Sequence, residues 1–165
     1  MAKIFYVIGS SGVGKDSIMI YAKKKISGSS KVLFAHRYIT RPADVGEENH
    51  ISLTKEEYKV MLNGNLFVFN WESHDLHYGI GIEINFWVNQ GFNVVISGSR
   101  EYLKVAQDKK ENMQVIMITA KPANIEKRLL QRGRESPEEI NNRIQRNKEM
   151  DVDHNNIIKI SNNGA

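Results

Sequence analysis

The stretch Gly9-Ser10-Ser11-Gly12-Val13-Gly14-Lys15-Asp16-Ser17 decides the fold expected for this chain. It follows an apolar run at residues 4–8 that suits a buried parallel strand, and it leads into residues 17–22, which suit a helix. A strand, a glycine-rich turn and a helix in that order form a cradle for phosphate: backbone N–H groups point inward, the helix N-terminus adds partial positive charge, and Lys15 reaches the outer phosphates. The alternative is a plain glycine turn with a surface lysine, which the flanking strand and helix disfavour. The sequence therefore predicts that residues 9–17 bind a phosphate-rich ligand.

The residue after the lysine departs from the usual form of this motif. A Ser or Thr that binds Mg²⁺ usually stands there, whereas this chain has Asp16 followed by Ser17. A carboxylate is an equally good hard oxygen ligand for Mg²⁺. We expect Asp16 to bind the metal, directly or through water, and Ser17 to contact a phosphate.

Composition and charge limit the classes of protein to consider. With 165 residues, 41% hydrophobic and 25% charged, the chain is expected to form a single globular domain. The absence of cysteine excludes disulfides and thiolate-metal sites and fits a reducing cytoplasm. We expect no signal peptide, because the first residues lead directly into a predicted strand, and no apolar run approaches membrane-spanning length. A net charge of +4 suits an anionic substrate as well as nucleic acid, and the sequence allows a homodimer as well as a monomer.

Apolar strands alternate with helices along the chain. Strands are predicted at residues 4–8, 32–35, 51–53, 66–71, 92–96, 114–119 and 156–160, and a polar turn is predicted at 72–79. Helices are predicted to begin near residues 17, 54, 81, 122 and 137, and Thr54 and Glu57 suit a capping box at the start of the second helix. This alternation predicts a three-layer α/β fold with a central parallel sheet. A polar segment of about residues 36–82 breaks the rhythm and is expected to form an inserted substrate-binding subdomain. Within it, Arg37 and Arg41 lie four apart beside a proline turn, a pattern that suits an anion clamp.

Several segments in one order resemble the guanylate-kinase-like branch of the P-loop kinases, over essentially the whole chain. Besides the phosphate loop, they are Thr40-Arg41-Pro42 with Gly46-Glu47, Trp71-Glu72 with Tyr78-Gly79, and Arg128-Leu129 with Arg132-Gly133 and Arg143. Within this branch, the chain resembles more closely the ribose 1,5-bisphosphate phosphokinases of bacterial phosphonate breakdown. The stretches that carry this resemblance are residues 14–17, 34–42, 48–51, 71–72, 77–80 and 98–103.

The resemblance implies ATP-dependent phosphorylation of ribose 1,5-bisphosphate to 5-phosphoribosyl 1-diphosphate (PRPP), with Mg²⁺ as the metal. It implies one kinase domain over residues 1–165 with an arginine-rich lid at about residues 128–146. The implied catalytic residues are Lys15, Arg41, Arg132 and Arg143, with Arg128 on the nucleotide. The implied substrate-binding residues are Arg37, Arg41, His50, Glu72, Tyr78 and Arg100. Glu72 has a second interpretation as a buried partner of an arginine, and His50 has one as a structural histidine.

Departures from guanylate kinases favour a sugar phosphate over a nucleobase. Arg37 stands where those enzymes place a serine near guanine, and Ser97 and Ser99 replace acidic residues, one of which faces guanine. Arg37 and Arg100 suit phosphate instead. The loss of an acidic residue at this point also makes Asp16 the more plausible metal ligand. The alternatives are a nucleoside-monophosphate kinase and a guanylate-kinase-like binding module without catalysis; the intact glycines and lysine of the loop disfavour the second. A nucleic-acid binder is disfavoured because the basic residues lie in kinase-like positions.

Overall fold

The computed structural model shows an α/β protein and describes residues 2–10, 12–26, 28, 30–42, 50–149 and 156–163. The elements of these residues are, in chain order, β1 (Ile4–Gly9), α1 (Lys15–Ile26), β2 (Val32–Phe34), β3 (Arg37–Ile39), β4 (His50–Ser52), α2 (Lys55–Asn63), β5 (Phe67–Ser73), β6 (Leu76–Gly81), α3 (Glu83–Asn89), β7 (Asn93–Ser97), α4 (Leu103–Lys109), β8 (Met113–Thr119), α5 (Pro122–Arg132), α6 (Pro137–Glu149) and β9 (Ile157–Ser161). Among the described helices, none is both long and apolar enough to cross a membrane.

β1 lies in the middle of a five-stranded parallel sheet with the strand order β2-β7-β1-β8-β9. Ile4 of β1 lies opposite Val94 of β7 on one side and opposite Met113 of β8 on the other. The predicted α/β fold with a central parallel sheet is therefore confirmed. Because ligands of open α/β sheets bind outside the carboxyl ends of the strands, this topology places the loop that follows β1 where a ligand is expected.

The pleat of β1 divides the hydrophobic core into two clusters, one on each face of the sheet. Ile4, Tyr6 and Ile8 belong to the first cluster, together with buried residues of α3, α4 and the second sheet described below. Val7 belongs to the second cluster, together with buried residues of α5 and α6. Side chains alternate between the two faces of a strand, so an apolar run such as that of β1 requires cover on both faces. The result is the three-layer arrangement.

Strands β3 to β6 form a second sheet in the order β4-β3-β6-β5, and α2 packs against one of its faces. The predicted capping box begins α2: Thr54 Oγ1 accepts a hydrogen bond from Glu57 N, and Glu57 Oε1 accepts one from Thr54 N. Tyr58 of α2 is buried, and its ring lies 5.0 Å from that of Phe67 and 5.1 Å from that of His77. These contacts fix α2 on the face of the sheet that carries Phe67 and His77.

The prediction of a polar turn at residues 72–79 is wrong, because β5 and β6 form a continuous hairpin there. Ser73 pairs with Leu76, and His74 and Asp75 form a two-residue turn with φ of 51° and 63°. Such turns match the twist of the flanking strands. Polar residues can continue these strands because α2 covers its face of the second sheet only in part: Tyr58 lies against His77, whereas the neighbouring Glu72 is exposed. The helix α4 also had no counterpart among the predicted elements.

Candidate active site

The phosphate loop has a backbone shape that only glycine adopts easily. Gly12 and Gly14 have φ of 88° and 82°, in the left-handed region. The side chain of Val13 is 1% exposed and packs in the second core cluster, so it fixes the loop to the hydrophobic core. Lys15 begins α1, and Ile18 N donates to Gly14 O at 3.0 Å. The loop therefore runs from a central strand into a helix N-terminus, as a phosphate cradle requires. Ser11, which was also predicted to bind the ligand, lies outside the described residues.

An open cleft of about 470 Å³ lies over the loop and is strongly basic. Its charged lining consists of one acidic side chain, Asp16, and five basic ones, which are Lys15, Arg37, Arg128, Arg132 and Arg134. A concave surface of one dominant charge attracts ligands of the opposite charge, so the cleft suits a ligand with several negative charges. The predicted site residues in this lining are Gly9, Ser10, Gly12, Gly14, Lys15, Asp16, Ser17, Arg37, Tyr78, Arg128 and Arg132.

A stack of three side chains, Arg37, Tyr78 and Trp71, reaches the cleft through its first two members. Arg37 is only 8% exposed, and its guanidinium carbon lies 5.2 Å from the centre of the Tyr78 ring. The Tyr78 ring in turn stacks on Trp71 with ring centres 5.4 Å apart and an interplanar angle of 3°. A cation over an aromatic face is stabilised by the ring's negative face. The stack therefore holds the Arg37 charge in one place at the edge of the cleft.

His50 lies beside Arg37, because β3 and β4 are parallel and pair these two residues. Both ring nitrogens of His50 are buried, and within the described residues neither has a hydrogen-bond partner. Residues 43–49, which include part of the segment resembling the kinases, lie outside the described residues. Buried polar groups usually have partners.

Arg41 follows β3, and its backbone oxygen accepts a hydrogen bond from Ser52 Oγ.

The loop after β7 is held by a buried tyrosine. Tyr6 Oη donates to Ser99 O at 2.8 Å and accepts from Ser99 N at 3.0 Å. Burial raises the pKa of the Tyr6 hydroxyl well above its usual value. A Cβ on Gly98 would lie 2.2 Å from the Tyr6 ring, so only glycine fits at this position. Tyr6 thereby fixes the backbone from which Arg100 projects.

The lid arginines converge on one carboxylate. Arg132 donates to Glu135 Oε1 at 3.0 Å, and Arg143 Nε contacts Glu135 Oε2. The Glu135 side chain is only 11% exposed. Arg143, which lies on α6, is thereby connected to Arg132 at the end of α5, and Arg132 lines the cleft. Arg128 differs from both, since its guanidinium donates to two backbone carbonyls, Gly12 O at 3.1 Å and Asn162 O at 2.8 Å.

The oxygen donors near the loop fit a magnesium ion. Asp16 lies in the first turn of α1 and also borders a smaller cavity of about 50 Å³ with Arg37 and Ser97. Ser97 Oγ is buried and has no hydrogen-bond partner among the described residues. Mg²⁺ prefers oxygen ligands and, in phosphate-transferring enzymes, takes most of them from water and phosphate, so one or two protein carboxylates suffice. Asp16 meets that requirement.

Comparison with known proteins identifies the family. Ribose 1,5-bisphosphate phosphokinase PhnN from Thiobacillus denitrificans is 47% identical to this chain over 148 residues, which cover 90% of this chain and 78% of that protein. The protein of the same name from Psychromonas ingrahamii is 51% identical over 144 residues, which cover 87% and 73%. The chain belongs to the ribose 1,5-bisphosphate phosphokinase family. The family predicted from the sequence is thus confirmed, although no protein-family model matches the chain.

Solved structures support the same fold for this ribose 1,5-bisphosphate phosphokinase family member. Guanylate kinase from Anaplasma phagocytophilum superimposes with a TM-score of 0.66 and covers 98% of this chain and 77% of that protein. The sequence identity is 14%, so this likeness concerns the fold alone. The guanylate-kinase-like fold expected from the sequence is confirmed.

Glu72 does not belong to the cleft of this phosphokinase family member. It pairs with His77, the neighbour of Tyr78, and therefore lies on the opposite face of the second sheet, where it is exposed. The pKa of Tyr58 on α2 is raised to about 12, mainly by burial and to a smaller extent by electrostatic interactions with Tyr102 and Glu72. The contribution of Glu72 agrees with its position on the α2 side of the sheet. The predicted role of Glu72 as a buried partner of an arginine is therefore wrong, and its role as a substrate ligand stays a prediction that this position does not support.

Some residues at the site were missed by the sequence analysis, and others lie at its border. Arg134, to which the sequence analysis assigned no role, is exposed and lines the cleft. Asn162 reaches the phosphate loop from the end of β9, with Asn162 Nδ2 2.7 Å from Val13 O. No motif marks Asn162, since 149 residues separate it from its partner. The predicted residues that are described but lie outside the lining of the cleft are Val13, Arg41, His50, Glu72, Arg100 and Arg143.

Proposed function

We propose that this chain transfers the terminal phosphoryl group of ATP to the 1-phosphate of ribose 1,5-bisphosphate, which yields PRPP and ADP. The observation that carries the proposal is the basic cleft, which is lined both by a phosphate loop and by an arginine held on a tyrosine ring. The family supports the choice of acceptor, because the relatives are named as ribose 1,5-bisphosphate phosphokinases. Two phosphates on the sugar and three on the nucleotide require the concentration of positive charge that the cleft supplies.

The loop side of the cleft is proposed to bind the donor. The backbone N–H groups of residues 9–17 and the N-terminus of α1 surround the phosphates, and Lys15 neutralises the outer ones. Asp16 would hold Mg²⁺, which when bound neutralises phosphate oxygens. Arg132 and Arg143 contribute charge from the lid, where Glu135 keeps their guanidinium groups together.

The wall formed by the second sheet is proposed to bind the acceptor. Arg37 presents a charge that the Tyr78 ring holds in place, and guanidinium groups match phosphate geometry. His50 is next to Arg37 in the register, and its buried ring nitrogens suit a phosphate or ribose oxygen. Arg41 and Arg100 extend this basic surface from the ends of β3 and β7. With donor and acceptor in one cleft, the attacking and leaving oxygens can lie in line.

The reaction needs no protein base in this proposal. A phosphate monoester has a second pKa of about 6, so at neutral pH the 1-phosphate is a dianion with an oxygen ready to attack. One bond from that oxygen to the terminal phosphorus forms while the bond to the β–γ bridging oxygen breaks, and no proton has to move. Positioning and charge neutralisation are then the main contributions of the protein.

We also propose that the protein acts in the cytoplasm, where ATP is supplied, and that its partners are small molecules. A homodimer stays a prediction, which light scattering of the purified protein would test.

The proposal is tested by measuring ADP release with MgATP and, separately, ribose 1,5-bisphosphate, ribose 5-phosphate and GMP. We expect turnover with ribose 1,5-bisphosphate and not with the other two compounds. Ribose 5-phosphate lacks one of the two phosphates that the arginines would hold, and GMP has a single phosphate and carries a base. Lys15→Ala should lose most of this turnover and serves as the matched inactive control. Turnover of GMP without turnover of ribose 1,5-bisphosphate would overturn the proposed acceptor.

A further inference from the structure

The residue after β9, Asn162, contacts the phosphate loop and lies outside the described lining of the cleft. Asn162 Nδ2 donates to Val13 O at 2.7 Å. Arg128 donates to Gly12 O at 3.1 Å and to Asn162 O at 2.8 Å. Asn162 N donates to Thr119 O at 2.7 Å, which fixes Asn162 to the end of β8. Two consecutive carbonyl groups of the loop are thus held by side chains, one from α5 and one from the end of the central sheet.

These hydrogen bonds determine the direction of a loop N–H group. In a planar trans peptide unit the C=O and N–H point to opposite sides. Val13 O and Gly14 N belong to one peptide unit, so the hydrogen bond from Asn162 turns the Gly14 N–H to the opposite side. Gly14 lines the cleft, whereas Asn162 does not belong to its described lining. The contact therefore directs the Gly14 N–H towards the place where phosphate would bind.

A glycine needs such an external contact more than other residues do. Gly14 has φ of 82°, and glycine populates positive and negative φ about equally when unconstrained. A Cβ on Gly14 would lie 2.5 Å from Asn162 Nδ2, so the loop and the amide are in close contact. The hydrogen bond from Asn162 selects one of the orientations that this peptide unit could otherwise adopt.

We propose that Asn162 is a positioning residue that holds the phosphate loop in its phosphate-binding form. It acts through the Val13 carbonyl and not by contact with the reacting atoms. The inference rests on the proposed role of ATP as donor. The part of the donor whose binding depends on Asn162 is the polyphosphate chain, whichever base the nucleotide carries.

The test is calorimetric titration of the full chain with inorganic tripolyphosphate in the presence of Mg²⁺, and separately with ATP. Asn162→Ala removes the donor group, and Asn162→Asp keeps the shape but places an oxygen against Val13 O. Asn163→Ala is the matched control, because Asn163 Oδ1 accepts from Lys121 N and Asn124 Nδ2 at the start of α5. We expect Asn162→Ala to weaken tripolyphosphate binding roughly three- to tenfold, the loss of about one hydrogen bond. Asn162→Asp should weaken it further, and Asn163→Ala should leave it unchanged.

Three results would overturn the proposal. The first is unchanged tripolyphosphate affinity in Asn162→Ala, or in Asn162→Asp if the alanine variant does not fold. The second is a loss of affinity for ATP with unchanged affinity for tripolyphosphate, which would mean that Asn162 contacts the base of the nucleotide. The third is a parallel fall in melting temperature and affinity in both Asn162→Ala and Asn163→Ala, which would make the end of β9 a structural tether. Tripolyphosphate binding needs no sugar, so failure of the proposed reaction would leave this test intact.

Discussion

Removal of one hydroxyl group, in Tyr6→Phe, tests how the acceptor side of the site is positioned. Tyr6 is fully buried in the first core cluster, and its hydroxyl both donates to and accepts from the backbone of Ser99. Phenylalanine retains the ring that packs against Phe69 at 6.0 Å. The substitution therefore removes the two hydrogen bonds and little else. The residue that follows Ser99 is Arg100, one of the arginines proposed to hold the acceptor.

The size of the effect follows from the two hydrogen bonds. A hydrogen bond contributes about 0.5–1.5 kcal/mol net, and a buried group left without a partner costs about 1–3 kcal/mol. We expect Tyr6→Phe to lower the free energy of unfolding by about 2–3 kcal/mol and the melting temperature by roughly 5–10 °C. The freed loop also weakens the contact of Arg100 with phosphate, and a loss of about 1.4 kcal/mol there raises KM for ribose 1,5-bisphosphate about tenfold.

Steady-state kinetics and thermal unfolding of the same preparations provide the assay. KM for ATP should stay unchanged in Tyr6→Phe, because the phosphate loop does not contact Ser99 through this hydroxyl. Tyr38→Phe is the matched control: it also removes a tyrosine hydroxyl, which donates to the Glu83 side chain at 3.1 Å and holds no backbone of the site. It should lower the melting temperature with little change in either KM. An equal rise in both KM values in Tyr6→Phe, or no rise in KM for the sugar, would refute the reasoning.

Three further predictions concern charge. Arg37→Met keeps the packing on Tyr78 but loses the charge, and it should raise KM for ribose 1,5-bisphosphate about ten- to a hundredfold; steady-state kinetics that show a rise for ATP instead would contradict the assignment. Asp16→Ala should raise the Mg²⁺ concentration at half-maximal rate, measured at fixed ATP, and an unchanged Mg²⁺ titration would exclude Asp16 as the ligand. The hydrogen bonds from Thr54 lower the pKa of Glu57, so its stabilisation is present above about pH 4.3 and is lost as the pH falls through the lowered pKa. The melting temperature of Glu57→Ala should therefore lie below that of the unchanged chain at pH 7 and approach it once the pH has fallen below the lowered pKa; a gap that widens at low pH would be inconsistent with the cap.

The central sheet and the phosphate loop could be predicted from the sequence because their signals are local. A continuous apolar run indicates a strand covered on both faces, and the loop is specified by glycines at positions with positive φ, such as Gly12 and Gly14. The capping box of Thr54 and Glu57 is local in the same way. These signals need no knowledge of distant parts of the chain.

The second sheet was harder to predict because its register depends on contacts between strands. The stack of Trp71 on Tyr78 sets which side chains share a face, and it turns Glu72 away from the cleft. A shift by one residue would exchange the two faces, and no composition rule decides between them. The contact of Tyr6 with Ser99 joins residues 93 positions apart, so it too lacked a local signal.

Phosphorus NMR of the purified chain with ATP, Mg²⁺ and ribose 1,5-bisphosphate tests the central claim most directly. The account predicts that the signal of the sugar 1-phosphate declines while the two coupled signals of a diphosphate on the sugar grow in step with ADP. A parallel sample with GMP in place of the sugar should show no new diphosphate other than ADP. A growing GDP signal with an unchanged sugar 1-phosphate would contradict the account and would make the chain a nucleotide kinase.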